Sequence, residues 1–112
     1  MDNTRNALLS LHRVLVDLER RTYEKTRGRV SGGEFLQALV RDPSLAWLAP
    51  LTSQIARLDE LAEAKEAAAQ RRTWRARTRS LLRGADYAKR VESSPDVAFA
   101  HAAALHTLKS AT

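Results

Sequence analysis

A chain of 112 residues with no cysteine and a formal net charge of +6 is bounded before any motif is read. Its length suits a single domain, residues 1–112, burying roughly 60–70% of its unfolded surface in one core without covalent staples. The missing cysteines exclude disulfides, thiol catalysis and Cys-ligated zinc, and no uncharged run approaches the roughly 20 apolar residues of a membrane-spanning helix.

The N-terminal MDNTRNALLSLHR lacks the basic stretch and uninterrupted apolar core of a secretory signal, so a cytoplasmic location is expected. From Thr4 to Arg27, Leu8, Leu11, Leu15 and Leu18 recur at helical spacing, and Leu9, Val16 and Tyr23 widen the stripe. Gly28 then reads as a helix stop. Ser31-Gly-Gly-Glu34 is a capping box: the Ser hydroxyl takes an orphan N–H and the Glu reaches back. It opens a short helix from Gly33 to about Val40, with Phe35, Leu36, Leu39 and Val40 expected inward. Asp42-Pro43 pairs an N-cap with a proline at the first helical position and starts a turn or two carrying Leu45, Trp47 and Leu48.

Pro50 restarts the path. Leu51, Ile55, Leu58 and Ala62 continue the apolar spacing into EAKEAAAQRR, all strong helix formers. These predict a long helix to about Gln70, continuous in one reading with the basic segment as far as Leu82. Gly84 ends it, and a shorter segment runs from Tyr87 to Val91. Ser93-Ser-Pro-Asp96 caps a last helix to about Lys109, with Val97, Ala104, Leu105 and Leu108 on one side. No stretch alternates apolar and polar residues as a strand does. The expectation is an all-α compact bundle of four to five helices with short connections, the first antiparallel to the one from Pro50.

LHRVLVDLERRTYE, GEFLQALVRDPSLAWLAPLTSQIARLDE and SSPDVAFAHAAALHTL, in this order, resemble small bacterial all-helical proteins of no assigned function. The resemblance covers most of the chain. It implies a bacterial helical domain and carries no activity, cofactor or site residue.

RRTWRARTRSLLRGADYAKR, residues 71–90, holds eight Arg and Lys against the single Asp86, more positive charge than the whole chain's net +6. On a helix, Arg72, Arg75, Arg79 and Arg83 fall within about a third of the circumference, with Arg71 at its edge and Arg77 on a flank. Trp74, Thr78, Leu81, Leu82 and Ala85 take the other side. The segment would anchor its apolar side and present a row of guanidiniums, whose planar forks suit phosphate. Lys89 and Arg90 complete the candidate anion-binding set as outliers.

Two readings stay open here. In one, the row contacts an anionic macromolecule: nucleic-acid backbone, an acidic protein or a membrane surface. In the other it is a solvated face whose arginines pair with Asp59, Glu60, Glu63 and Glu66. Base-specific readout lacks support, because no helix-turn-helix spacing or zinc finger is present and aromatic residues are only 5% of the chain.

His12, Glu19 and His101 all fall on arcs expected to face the core, and imidazole with carboxylate suits Zn, Fe or Mn. They are the only candidate metal ligands, and the Glu-x-x-His spacing of helical-bundle metal sites is missing. Gly-rich phosphate loops and nucleophile elbows are also missing, so a non-enzymatic protein without a cofactor is expected. Trp47, between two prolines, plugs the core or marks an association surface. The leucine stripes of the first helix and of residues 48–62 would suit pairing between chains as a homodimer.

Overall fold

The computed structural model describes residues 2–63 and 67–110, without the side chains at positions 2, 62, 63 and 110. Among them it shows no strand and six α-helices: α1 (Asp2–Arg27), α2 (Gly32–Arg41), α3 (Ala49–Glu63), α4 (Ala68–Leu82), α5 (Ala85–Ser93) and α6 (Pro95–Ser110), with a 3-10 segment at Pro43–Leu48. None of these is long and apolar enough to cross a membrane.

Local chemistry sets most boundaries. Gly28 adopts φ 79°, a left-handed conformation that costs glycine little, and its N–H returns to the Glu24 carbonyl at 2.9 Å. The capping box is complete: Ser31 Oγ accepts from the Glu34 N–H at 3.1 Å while the Glu34 carboxylate accepts the Ser31 N–H at 3.4 Å. Asp42 Oδ1 caps the 3-10 segment through the Ser44 N–H at 2.9 Å. Ser94 Oγ takes the Val97 N–H at the start of α6.

The bundle has six helices rather than four or five because the helix expected to run on from Pro50 is divided. Its middle, residues 64–66, lies outside the described residues. On either side, α3 and α4 pack against each other as an antiparallel pair. The Trp74 indole N–H reaches the Gln54 carbonyl at 2.7 Å and Arg71 reaches the Leu61 carbonyl at 3.5 Å. A continuous helix would hold Trp74 and Leu82 far from Leu51, Ile55 and Leu58. Folding back buries them together, and that burial outweighs the strong helix preference of this stretch, which is worth only about 0.7 kcal/mol or less per residue.

Four helices form the bundle proper. Arg5 to Asp59 and His12 to Thr52 run α1 antiparallel to α3, as expected. The most extensive partner of α1 is nevertheless α6: Asp96 lies beside Val14 and Arg21, and Ala103 beside Asn6 and Ala7. His101 against Leu82 joins α6 to α4. The circuit α1–α3–α4–α6 closes a square with antiparallel neighbours. Leu8, Leu11, Leu15, Leu51, Leu58, Leu82, Val97 and Leu108 fill its centre, each at most 1% exposed, and such burial contributes about 1.5–3 kcal/mol per large side chain.

The leucine stripes that suited pairing between chains are therefore consumed inside one chain. The lower part of α1 carries a second, smaller cluster in which Phe35, Ala38 and Leu45 pack with Val16 and Tyr23. Because α2 touches the rest on one side only, Leu36 and Val40 face outward rather than inward, 63% and 82% exposed. Trp47 packs on the main core, edge to face with the buried Tyr87 at 5.2 Å.

Candidate anion-binding face

Alanine, arginine, glutamine and leucine make α4 a strong helix, and its charges are then distributed by two neighbours rather than one. Trp74, Thr78 and Leu82 are buried as their spacing predicts. Trp74 and Thr78 face α3, where Gln54 Nε2 donates to Thr78 Oγ1 at 2.8 Å. The adjoining flank turns to α6, and there Arg79 lines a cleft with Ala102 and Leu105.

The expected row is consequently broken. Arg75 is buried, 8% exposed, and burial, helped by the charges of Arg79 and Arg71, lowers its pKa from the ordinary guanidinium value. Arg71 is half-buried at the α3–α4 contact. Arg90 leaves the set altogether. Its Nε donates to Glu19 Oε1 at 2.6 Å, its Nη1 lies 3.5 Å from Asp86 Oδ1, and its guanidinium covers the Trp47 ring at 4.3 Å. Arg72, Arg83 and Lys89 are exposed, Arg79 is half-exposed, and Arg77 opens outward on the far flank.

Two of the four acids expected to neutralise the row are engaged elsewhere. Asp59 pairs with Arg5 at 2.8 Å and Glu60 with Arg57 at 2.6 Å. Glu66 and the Glu63 side chain lie outside the described residues. Among the described residues, Arg72, Arg77, Arg79, Arg83 and Lys89 have no carboxylate partner. A second basic stretch, Arg20, Arg21, Lys25, Arg27 and Arg29, behaves differently: Arg20 meets Glu24 and Arg27 meets Asp42.

Two residues outside the expected set join the face. Across from Arg79 and Arg83, α6 brings His106 and Lys109 to the same cleft. Their three-residue separation on one helix was the one available signal, and nothing local connects them to α4.

The three candidate metal ligands do not converge. His12 on α1 meets Thr52 Oγ1 at 3.0 Å, and because the Thr52 hydroxyl proton goes to the Leu48 carbonyl at 3.3 Å, His12 Nε2 is the donor. Glu19 holds Arg90. His101 Nε2 donates to the Leu82 carbonyl at 2.6 Å, closing an orphan acceptor at the end of α4. Among the described residues no three His, Asp or Glu side chains are grouped to hold a metal ion.

Burial lowers the His12 pKa from its ordinary 6.5. The unfolded chain then binds more protons than the folded one below about 6.5, so this contribution is complete above that pH and lost as pH falls toward the folded value. Thermal denaturation of the parent and of His12→Gln from pH 7.5 to 5.5 checks it. The parent should lose more stability over that window than the variant, and parallel curves would remove His12 as the source.

Comparisons with protein-family models, curated proteins and solved structures return no match for this chain.

Proposed function

We propose a non-enzymatic binding protein of the bacterial cytoplasm that engages an anionic macromolecule, nucleic-acid backbone foremost, through the exposed cations of α4 and their neighbours. One observation carries this reading. The accessible cations Arg72, Arg79 and Arg83 have no acidic partner among the described residues, whereas Asp59 and Glu60 are matched to arginines of α1 and α3. Binding would proceed by counterion release and bidentate phosphate contacts, without reading bases.

With about four phosphate contacts, log K against log salt should fall with a slope of about −3.6, on the order of a hundredfold between 50 and 200 mM. Arg72→Ala with Arg79→Ala should flatten the slope by about 1.8, measured by fluorescence anisotropy on labelled duplex DNA. No binding at low salt would end the nucleic-acid reading.

A protein-interaction module or homodimer is the second reading, and Phe99 favours it. This ring stands 81% exposed on α6 beside a groove lined by Ala7, Ser10, Val14 and Ala103. Light scattering in the same salt series separates the two, since apolar self-association survives salt.

A further inference from the structure

We infer that the cleft between α4 and α6 is a discrete site for one phosphate group, with Arg79 and Arg83 as one jaw and His106 and Lys109 as the other. This inference deepens the anionic-partner reading above and rests on it. The cleft encloses about 290 Å³, lined by these four side chains with Ala102 and Leu105. That lies at the lower end of ligand-pocket volumes, roughly 300–1,000 Å³, and suits a phosphate monoester or diester group rather than a large organic ligand.

Its chemistry is one-signed. Four nitrogen-bearing side chains line it and no carboxylate does. Among the described residues none of the four is ion-paired. Arg79 and Arg83 stand one turn apart, where like charges repel rather than support the helix. Arg5, Arg57 and Arg90 each meet an acid. Here that acid is missing, and a bound anion would relieve the repulsion.

The donor chemistry fits the ligand. Two guanidiniums offer planar forks that each span two oxygens, Lys109 adds a point charge, and His106 adds a ring N–H. The half-buried Leu105 and Arg79 place part of the site against low-dielectric protein, where such contacts are stronger than in open water. Bringing the jaws together requires the α4–α6 contact, so an unfolded chain has no such site and phosphate should stabilise the fold.

The test is titration with inorganic phosphate, and separately with a short DNA duplex, at low ionic strength. Backbone amide shifts by NMR report the position and circular dichroism reports the fold. Phosphate should shift amides around Arg79, Arg83, His106 and Lys109. Arg83→Gln with Lys109→Gln should weaken phosphate binding by about tenfold or more, as loss of charge-assisted contacts implies. Arg13→Gln with Lys25→Gln, removing equal charge at exposed positions of α1 away from the cleft, should leave it within about twofold.

These positions are at least partly exposed, and His106→Ala, which keeps every permanent charge, provides a second variant that should also weaken binding. Equal weakening by both double variants, or shifts centred elsewhere, would overturn the site. Phosphate held in the cleft without duplex binding supports the site and removes the nucleic-acid reading. Duplex binding untouched by Arg83→Gln and Lys109→Gln removes the site and leaves that reading standing.

Discussion

Arg90→Ala is expected to lower the stability of the fold by about 3–5 kcal/mol, the cost of leaving a buried charge without its partner. The Glu19 side chain is 8% exposed and that of Arg90 21%, and their 2.6 Å contact joins residues 71 positions apart. Removing Arg90 strands the Glu19 carboxylate against the core and uncovers the Trp47 ring. α5 would lose its main polar tie to α1. Glu19→Ala should cost less, because Arg90 keeps Asp86 and Trp47.

For a chain of this size the loss corresponds to a melting temperature roughly 10–20 °C lower. A double-mutant cycle with Glu19→Ala should return a coupling of about 1–3 kcal/mol. Additive single effects would show that packing on Trp47, rather than the ion pair, holds α5. Since a domain has only about 5–15 kcal/mol in total, this pair alone decides much of whether the chain stays folded.

The second large effect belongs to Trp74. It is 3% exposed, and its indole N–H to the Gln54 carbonyl is one strand of a knot. The others are Gln54 Nε2 to Thr78 Oγ1 at 2.8 Å and the Thr78 hydroxyl to the Trp74 carbonyl at 2.8 Å. Trp74→Ala should cost about 3–5 kcal/mol through lost burial and the remaining cavity, read as a lower denaturant midpoint at similar slope. Trp74→Phe keeps most of the apolar area and loses the indole donor, so about 1 kcal/mol is expected. If both substitutions cost the same, the hydrogen bond rather than the ring volume ties α4 to α3.

These positions also separate what is local from what is not. Gly28, Ser31 with Glu34, Asp42-Pro43 and Ser94 each act within a few residues, so helix ends could be read along the chain and are found there. The apolar stripes were legible for the same reason: Leu8, Leu11 and Leu15 share a face whatever covers it. The α2 stripe shows the limit, because Leu36 and Val40 keep their helical positions while no partner arrives to cover them.

The basic segment was half legible. Its composition announced a charged surface, and Trp74, Thr78 and Leu82 marked the buried side. A helical projection, however, assigns one centre to the buried arc, whereas a helix in a four-sided bundle touches two neighbours at different azimuths. α4 packs on α6 as well as α3, so its buried arc is wider than one neighbour would make it, and Arg75 is among the buried residues. Arg90 shared its segment with the exposed cations but met Glu19 across the fold.

By itself, then, the sequence determined an all-helical chain, most of its helix ends, the leucine core and a surplus of positive charge in one segment, because each follows from short-range backbone chemistry or periodicity. Only the tertiary structure decided that the chain reverses between α3 and α4, that α6 rather than α3 covers α1 most fully, and which arginines stay in water. The α4–α6 cleft with its four basic side chains belongs to this second group. Those outcomes depend on contacts between residues tens of positions apart, where packing of whole helix faces outweighs the modest local preferences of the connecting residues.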